Sequence, residues 1–182
     1  MSFKQLIEEE VVRPLSYEDL ERILPSWCGF KRYDDLAKYK TLDQAMGGKD
    51  CMAVLYNIHD KATHRTVNAP GHFILLNRRS SDNKTEYFSS TGWKPGQEIA
   101  VTHSDPNIFS RLLGQDFVYN SVPYQKDGNM NDCWRWIMCR ATLGHMPLKS
   151  FQRLFSQNFI PRDSNDLVTA MTLLQTIEND LQ

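Results

Sequence analysis

The stretch GHFILLNRRSSDNKTEYFSS, residues 71–90, decides the fold class of this chain. It holds two apolar runs of strand length, HFILLNR (72–78) and TEYFSS (85–90), which are rich in aliphatic and aromatic side chains. The polar segment RSSDNK between these runs has the composition of a turn. The pattern therefore predicts a β-hairpin in the middle of the chain.

The segments on either side of this hairpin predict further strands and several helices. CMAVLYNI (51–58) precedes the hairpin and DFVYNSV (116–122) follows it, and both have strand length. Helical spacing or helix-capping residues mark eight further segments. Four precede the strands: FKQLIEEEVV, SYEDLERIL, YDDLAKY and TLDQAMGG. PNIFSRLLG lies between the strands, and CWRWIMCRATLGH, LKSFQRLFSQNF and DSNDLVTAMTLLQTIENDL follow them. Helices, then a small sheet, then helices again predict an α+β fold.

Length and composition are those of one globular domain. The chain has 182 residues, of which 41% are hydrophobic and 11% aromatic, so it can bury a substantial core. No repeat, low-complexity tract or linker divides it. We expect a single domain over residues 1–182, with an N-terminal helical part at about 1–48, a central sheet and helix at about 50–145, and C-terminal helices at about 147–182.

The charge balance and the cysteines argue against several classes of function. With 21 basic and 22 acidic side chains the formal net charge is -1, so nothing in the composition requires nucleic acid or an anionic membrane as a partner. No run approaches the about 18 apolar residues of a membrane-spanning helix, and no secretory signal is recognised, so we expect a protein that is not secreted. The four cysteines contain no CxxC pair, so we expect reduced thiols, no metal site and no cofactor.

A second stretch, YQKDGNMNDCWRW (124–136), places a cysteine where a polar loop becomes a helix. At Cys133 the unpaired N–H groups of the first helical turn favour a thiolate and can hold an oxyanion. Gln125 lies earlier in the same loop, which is short enough to bring its amide N–H beside the sulfur. A nucleophilic thiol is one interpretation of Cys133, and a buried core cysteine beside core tryptophans is the other.

A thiol nucleophile needs a base, and histidine is the usual one. Of the five histidines, His72 stands out because it follows Gly71 and opens the first predicted strand of the hairpin. It would then lie at the end of a strand, at the rim of the sheet. A general base and an ordinary strand-end histidine are both compatible with this position.

Taken in order, the segments GHFILLN, EYFSSTGWKP and YNSVPYQKDGNMNDCWRW resemble the adenain-type cysteine proteases, a group of viral and SUMO-protease-like enzymes. Within that group the likeness is to the maturation proteases of mavirus-like virophages and polinton-like viruses. It covers roughly residues 50–145, with a weaker match over YEDLERIL, YDDLAKY and LDQAM. The resemblance implies a papain-like cysteine protease fold in permuted order, with a small central mixed sheet flanked by helices.

The resemblance also assigns roles to particular residues. It implies that Cys133 is the nucleophile, His72 the general base and Gln125 the donor to the oxyanion. Where the family commonly has Asp, Glu or Asn after the second strand, this chain has Ser89, in the sequence YFSSTG. We expect the Ser89 hydroxyl to accept the ring N–H of His72, with Ser90 or another group as the alternative. On that interpretation Ser89→Asp is expected to be tolerated.

The function that the resemblance implies is that of an endopeptidase. Such an enzyme cleaves viral capsid and other structural precursors during virion maturation, in the virion and the infected host cell, through an acyl-enzyme intermediate. Its partner is a protein substrate, and in one branch of the family a peptide or DNA activates the enzyme. Two other functions stay open: a ubiquitin- or SUMO-type deconjugating protease, and a non-catalytic binding module of degenerate protease fold, for which the missing acid is the sequence support.

Overall fold

A computed structural model describes residues 23–69, 71–79, 82, 84–125 and 132–156, together with the single positions 5, 9, 168, 169, 171 and 172. Its centre is a five-stranded mixed sheet whose strands lie side by side in chain order. The strands are β1 (Cys28–Arg32), β2 (Cys51–Tyr56), β3 (His72–Arg78), β4 (Thr85–Ser89) and β5 (Phe117–Tyr119). The α+β class and the mixed sheet expected from the sequence are therefore confirmed.

The predicted hairpin consists of β3 and β4, which pair antiparallel with Ile74 opposite Ser89. β2 is also antiparallel to β3, whereas the outer strands β1 and β5 run parallel to their neighbours. Because antiparallel neighbours run in opposite directions, the start of β3 and the end of β4 lie at the same end of the sheet. The hairpin itself therefore brings His72 and Ser89 to one end of the sheet.

Helices lie at most of the positions that the sequence predicts. A 3-10 helix spans Asp34–Lys38, and the α-helices are α1 (Leu42–Met46), α2 (Pro95–Thr102), α3 (Pro106–Leu112), α4 (Cys133–Thr142) and α5 (Leu148–Ser156). α1 begins after Thr41, whose side chain accepts the backbone N–H of Gln44, and ends at Gly47 in the left-handed conformation (φ 58°). Both ends follow from the residue types, because threonine is a good N-cap and glycine has no Cβ to clash at positive φ.

The two faces of the sheet pack against different helices, because side chains alternate between the faces along each strand. One face carries Met52, Val54 and Tyr56 of β2 and packs against the 3-10 helix, α1 and α3. The other face carries Cys51 and Ala53 of the same strand and packs against α4 and α5. The sheet thus separates two apolar cores, one on each face.

Helix α4 is buried from its first residue to Ala141. A buried ion pair joins it to the sheet, because the Arg140 guanidinium donates to both carboxylate oxygens of Glu86 on β4, at 2.7 and 2.9 Å. Arg140 also donates to the carbonyl oxygens of Leu143 and Met146, at 2.8 and 3.0 Å. Since the donors of a guanidinium have fixed directions, these contacts set the position of α4 relative to β4.

Two elements differ from the sequence prediction. The part at about 1–48, expected to be helical, contains strand β1, and the segment KPGQEIAVTH, for which the pattern predicts no element, forms α2. β1 forms because its backbone pairs with β2, a tertiary contact that local periodicity does not reveal. β2 and β5 are shorter than predicted and end at Tyr56 and Tyr119.

Several predicted segments lie outside the described residues. Most of FKQLIEEEVV, most of SYEDLERIL and most of DSNDLVTAMTLLQTIENDL fall there, as does the loop 126–131. Across the described ranges, no helix combines the length and the apolarity needed to cross a membrane. The four cysteines all lie within the described ranges and are buried.

Candidate active site

His72 is the first residue of β3 and is only 3% exposed. The chain reaches it through Gly71, where an added Cβ would collide with the carbonyl oxygen of Tyr56 on β2. Glycine is therefore needed for the close approach of the two strands just before the histidine. The ring Nε2 of His72 lies 3.1 Å from the hydroxyl of Ser89 and 3.1 Å from the carboxylate oxygen Oε1 of Glu98.

Cys133 is the first residue of α4, with Asp132 as the N-cap residue, and is 2% exposed. Its thiol is hydrogen-bonded to the side chain of His72. Since Nε2 of the ring faces Glu98 and Ser89, Nδ1 is the nitrogen that can face the thiol. The fold thus brings a thiol and an imidazole together at the N-terminus of a helix, where the backbone favours negative charge.

Within the described part of the chain, Cys133 and Glu98 are the ionisable neighbours that set the protonation state of His72. Burial alone lowers the pKa of an imidazole, but the hydrogen bonds and negative charges of Cys133 and Glu98 outweigh burial and raise the pKa of His72 to about 10. His72 is therefore an imidazolium at neutral pH. A cation in this position stabilises a thiolate on the neighbouring sulfur.

Glu98 is a residue of the site that the sequence pattern does not reveal. It lies on α2 and is 1% exposed, and its Oε1 also accepts the hydroxyls of Ser89 at 2.6 Å and of Thr91 at 3.0 Å. The sequence does contain a signal for α2, namely Pro95 at its first position and Gln97, whose side chain caps the first turn. Nothing local marks Glu98 as buried, because an acidic residue on a short helix is normally exposed to solvent.

The two serines at the end of β4 have different partners. The backbone of Ser89 is held by the buried side chain of Asn120, which accepts the Ser89 N–H at 2.8 Å and donates to the Ser89 carbonyl oxygen at 2.7 Å. The hydroxyl of Ser90 instead donates to Oε1 of Gln125 at 2.8 Å. The structure therefore brings Ser89, and not Ser90, to the ring of His72.

Gln125 is held at the end of β4 by Ser90. Its backbone N–H donates to the Ser90 carbonyl oxygen at 3.1 Å, and its side-chain Oε1 accepts the Ser90 hydroxyl. Because the amide oxygen of Gln125 accepts the Ser90 hydroxyl, the NH2 group, which is the donor end of the amide, points away from Ser90. The preceding residue, Tyr124, stacks on Trp136 of α4 with ring centroids 4.8 Å apart, which ties this segment to the helix that begins at Cys133.

Trp134, which follows the cysteine, is part of the core at the start of α4. It is 4% exposed and packs with Ile23 and Met138. The Arg135 guanidinium lies 4.2 Å from the centre of its ring. In the part of the chain that the structure describes, no group of three or more His, Cys, Asp or Glu side chains is arranged to hold a metal ion.

The raised pKa of His72 predicts a pH dependence of stability. The folded state favours the imidazolium, so its contribution is complete below the unfolded pKa of 6.5 and is lost as the pH rises through about 10. His72→Gln is therefore expected to flatten the decline of the melting temperature across that range. Thermal melts measure this effect, with the exposed His145 changed to Gln as the control. If the melting temperature of His72→Gln declined with pH as steeply as that of the unmodified protein, the prediction would be contradicted.

Comparison with known proteins gives two similarities. No family model matches the chain. Among curated proteins, the uncharacterized protein V9 of Sputnik virophage is 24% identical over 173 residues, which cover 87% of this chain and 94% of that protein. Among solved structures, the C-terminal Ulp1 protease domain in complex with Smt3, the yeast orthologue of SUMO, is similar at a TM-score of 0.39 and 10% identity, covering 100% of this chain and 97% of that one. A structural likeness of this size establishes neither a fold nor an activity.

Proposed function

We propose that this chain is a cysteine endopeptidase in which Cys133 is the nucleophile and His72 its acid–base partner. The observation that carries the proposal is the hydrogen bond between the Cys133 thiol and His72, at the start of a buried helix. A core cysteine that only packs needs no such partner. A thiol beside an imidazolium at a helix N-terminus is the arrangement of an activated nucleophile.

The chemistry follows from the positions of these two groups. The Cys133 thiolate attacks the carbon of a peptide carbonyl, and the carbonyl electron pair moves to the oxygen to give a tetrahedral oxyanion. Collapse of this intermediate breaks the C–N bond, the leaving amine takes a proton from the His72 imidazolium, and a thioester remains. Neutral His72 then removes a proton from water, the hydroxide attacks the thioester, and Cys133 leaves as the thiolate.

The oxyanion in this mechanism needs hydrogen-bond donors. The backbone N–H groups at the start of α4 and the side-chain amide of Gln125 are the donors that we propose. The contact between Ser90 and the amide oxygen supports this role, because it fixes which end of the amide is the donor.

Gln125→Ala is expected to lower turnover by about 10²–10³, with a much smaller change in substrate binding, because the amide acts on charge that develops after binding. Steady-state kinetics separate the two effects. Gln115→Ala, at an exposed position outside the site, is the matched control. Unchanged turnover in the Gln125→Ala variant would remove Gln125 from the proposed site.

We further propose that the substrates are structural precursor proteins of a virus. Two points support this choice: the similarity to a virophage protein over most of both chains, and the resemblance of the site segments to viral maturation proteases. Assays with and without added DNA or capsid-derived peptides would show whether an activator is required.

Three reagents separate this function from its alternatives: the capsid precursor of the virus that encodes the chain, and ubiquitin and SUMO carrying a C-terminal electrophile. We expect discrete cleavage of the precursor and no adduct with either probe. An adduct with ubiquitin or SUMO, with the precursor left intact, would instead indicate a deconjugating protease. A protein that cleaves nothing and forms no adduct would be a binding module.

A further inference from the structure

The carboxylate in contact with His72 comes from an element that the sequence pattern does not predict. We propose that Glu98, on α2, is the positioning residue that orients the His72 ring and stabilises its charge, and that the hydroxyls of Ser89 and Thr91 hold this carboxylate in place. The proposal rests on the proposed function, since it assigns a role within the same site.

The direction of the hydrogen bonds distinguishes Glu98 from Ser89. The Ser89 hydroxyl donates its only hydrogen to Oε1 of Glu98, over 2.6 Å. Toward the His72 ring it can therefore act only as a neutral acceptor. Glu98 lies at the same distance of 3.1 Å from Nε2, and a carboxylate offers an imidazolium a charge-assisted hydrogen bond that a hydroxyl cannot, so it is the stronger partner.

The Glu98 carboxylate has a defined position because both the oxygen and the helix are fixed. Oε1 accepts the hydroxyls of Ser89 and Thr91. Within α2, the Thr102 hydroxyl donates to the Glu98 carbonyl oxygen at 2.8 Å. From outside the helix, the backbone N–H of His59 donates to the Thr102 carbonyl oxygen at 2.9 Å. A buried carboxylate is costly without a counter-charge, and the imidazolium supplies that charge here.

Glu98→Gln keeps the shape of the side chain and removes its charge. Among the residues that the structure describes, the ionisable groups that act on His72 are Glu98 from α2 and Cys133 from α4, so the substitution removes one of these two negative neighbours. We expect kcat to fall by about 10- to 100-fold, a part of the 10²–10⁴ that acid–base catalysis contributes, with little change in KM. The pKa of His72 is also expected to fall, because a negative neighbour that favours the imidazolium is gone.

Comparing Ser89→Asp alone with Ser89→Asp combined with Glu98→Gln shows whether Glu98 or Ser89 is the orienting group. Ser89→Asp places a second carboxylate where the hydroxyl now lies 2.6 Å from Oε1 of Glu98, and two carboxylates this close cannot both ionise. Ser89→Asp alone is therefore expected to lower kcat, contrary to the expectation from sequence. Ser89→Asp combined with Glu98→Gln restores one acid beside the ring and is expected to recover activity. Ser89→Ala is the matched control that removes the hydroxyl without adding a charge.

The experiment measures kcat and KM of these four variants, together with the His72 titration by NMR of 15N-labelled histidine and the melting temperature of each. Recovery in the double variant and a lowered His72 pKa in Glu98→Gln are the expected results. Tolerance of Ser89→Asp, or a His72 pKa unchanged by Glu98→Gln, would overturn the proposal. The titration does not depend on proteolysis, so a lowered pKa in a protein that cleaves no substrate would reject the proposed function and leave the role of Glu98 intact.

Discussion

Replacing Cys133 by alanine is expected to abolish peptide hydrolysis and to leave the fold intact. The mechanism has no second nucleophile, because the bond to the acyl group forms on the Cys133 sulfur itself. The side chain is small and lies at the first position of α4, so its loss removes little packing. Cleavage of the capsid precursor measures the activity, and far-UV circular dichroism with thermal melting checks the fold.

Cys139→Ala is the matched control, on the same helix. Cys139 is also buried, but burial raises the pKa of its thiol to about 12, so it is protonated at neutral pH. Its sulfur contacts the sulfur of Met171 at 3.8 Å. We expect this variant to keep its activity and to lose some stability. Cleavage that persists in Cys133→Ala, or disappears in Cys139→Ala, would refute the assignment of the nucleophile.

Arg140→Met is expected to destabilise the protein by about 3–5 kcal/mol, the cost of leaving a buried charge without its partner. Arg140 and Glu86 are both about 1% exposed, and the Arg140 guanidinium donates to both carboxylate oxygens of Glu86. The pair joins α4, which begins with Cys133, to β4, which ends with Ser89. Urea denaturation monitored by tryptophan fluorescence measures the free energy of unfolding.

A double variant distinguishes the buried charge from ordinary packing. Glu86→Leu combined with Arg140→Met removes both charges and is expected to recover most of the loss, because the penalty comes from the unpaired ion. Arg79→Met is the surface control: Arg79 contacts Asp82 at 3.2 Å and is partly exposed, so its loss should cost less than about 1 kcal/mol. A double variant as unstable as Arg140→Met would mean that packing, and not the unpaired charge, dominates.

The elements that the sequence predicts well are those with a strong local signal. HFILLNR forms β3 over its full predicted length, and CWRWIMCRATLGH forms α4 beginning at Cys133. In both segments the hydrophobic pattern and the flanking turn residues agree with the final packing. The contact between His72 and Cys133 is the one that the resemblance to the adenain-type cysteine proteases implies; the residue pattern alone also allows a core cysteine and an ordinary strand-end histidine.

The elements that the sequence does not predict depend on distant contacts. β1 exists because Cys28–Arg32 pairs with β2, which no local pattern reports. Glu98 reaches His72 because α2 folds back beside the end of β4, and a charged side chain in KPGQEIAVTH gives no sign of burial. The resemblance therefore suggests Ser89, with Ser90 or another group as the alternative, whereas the structure places an acid from the next helix beside Ser89.

The rate at which iodoacetamide alkylates each cysteine tests most directly the claim that His72 activates Cys133. Only thiolates react at a useful rate, so the labelling order reports which sulfur is ionised and reachable, whatever the natural substrate is. A short pulse near neutral pH, followed by peptide mass spectrometry, resolves all four cysteines. We expect Cys133 to be labelled first, and His72→Ala to slow its labelling without changing that of Cys139. Labelling of Cys133 that is no faster than that of Cys139, or that is unaffected by His72→Ala, would contradict the claim.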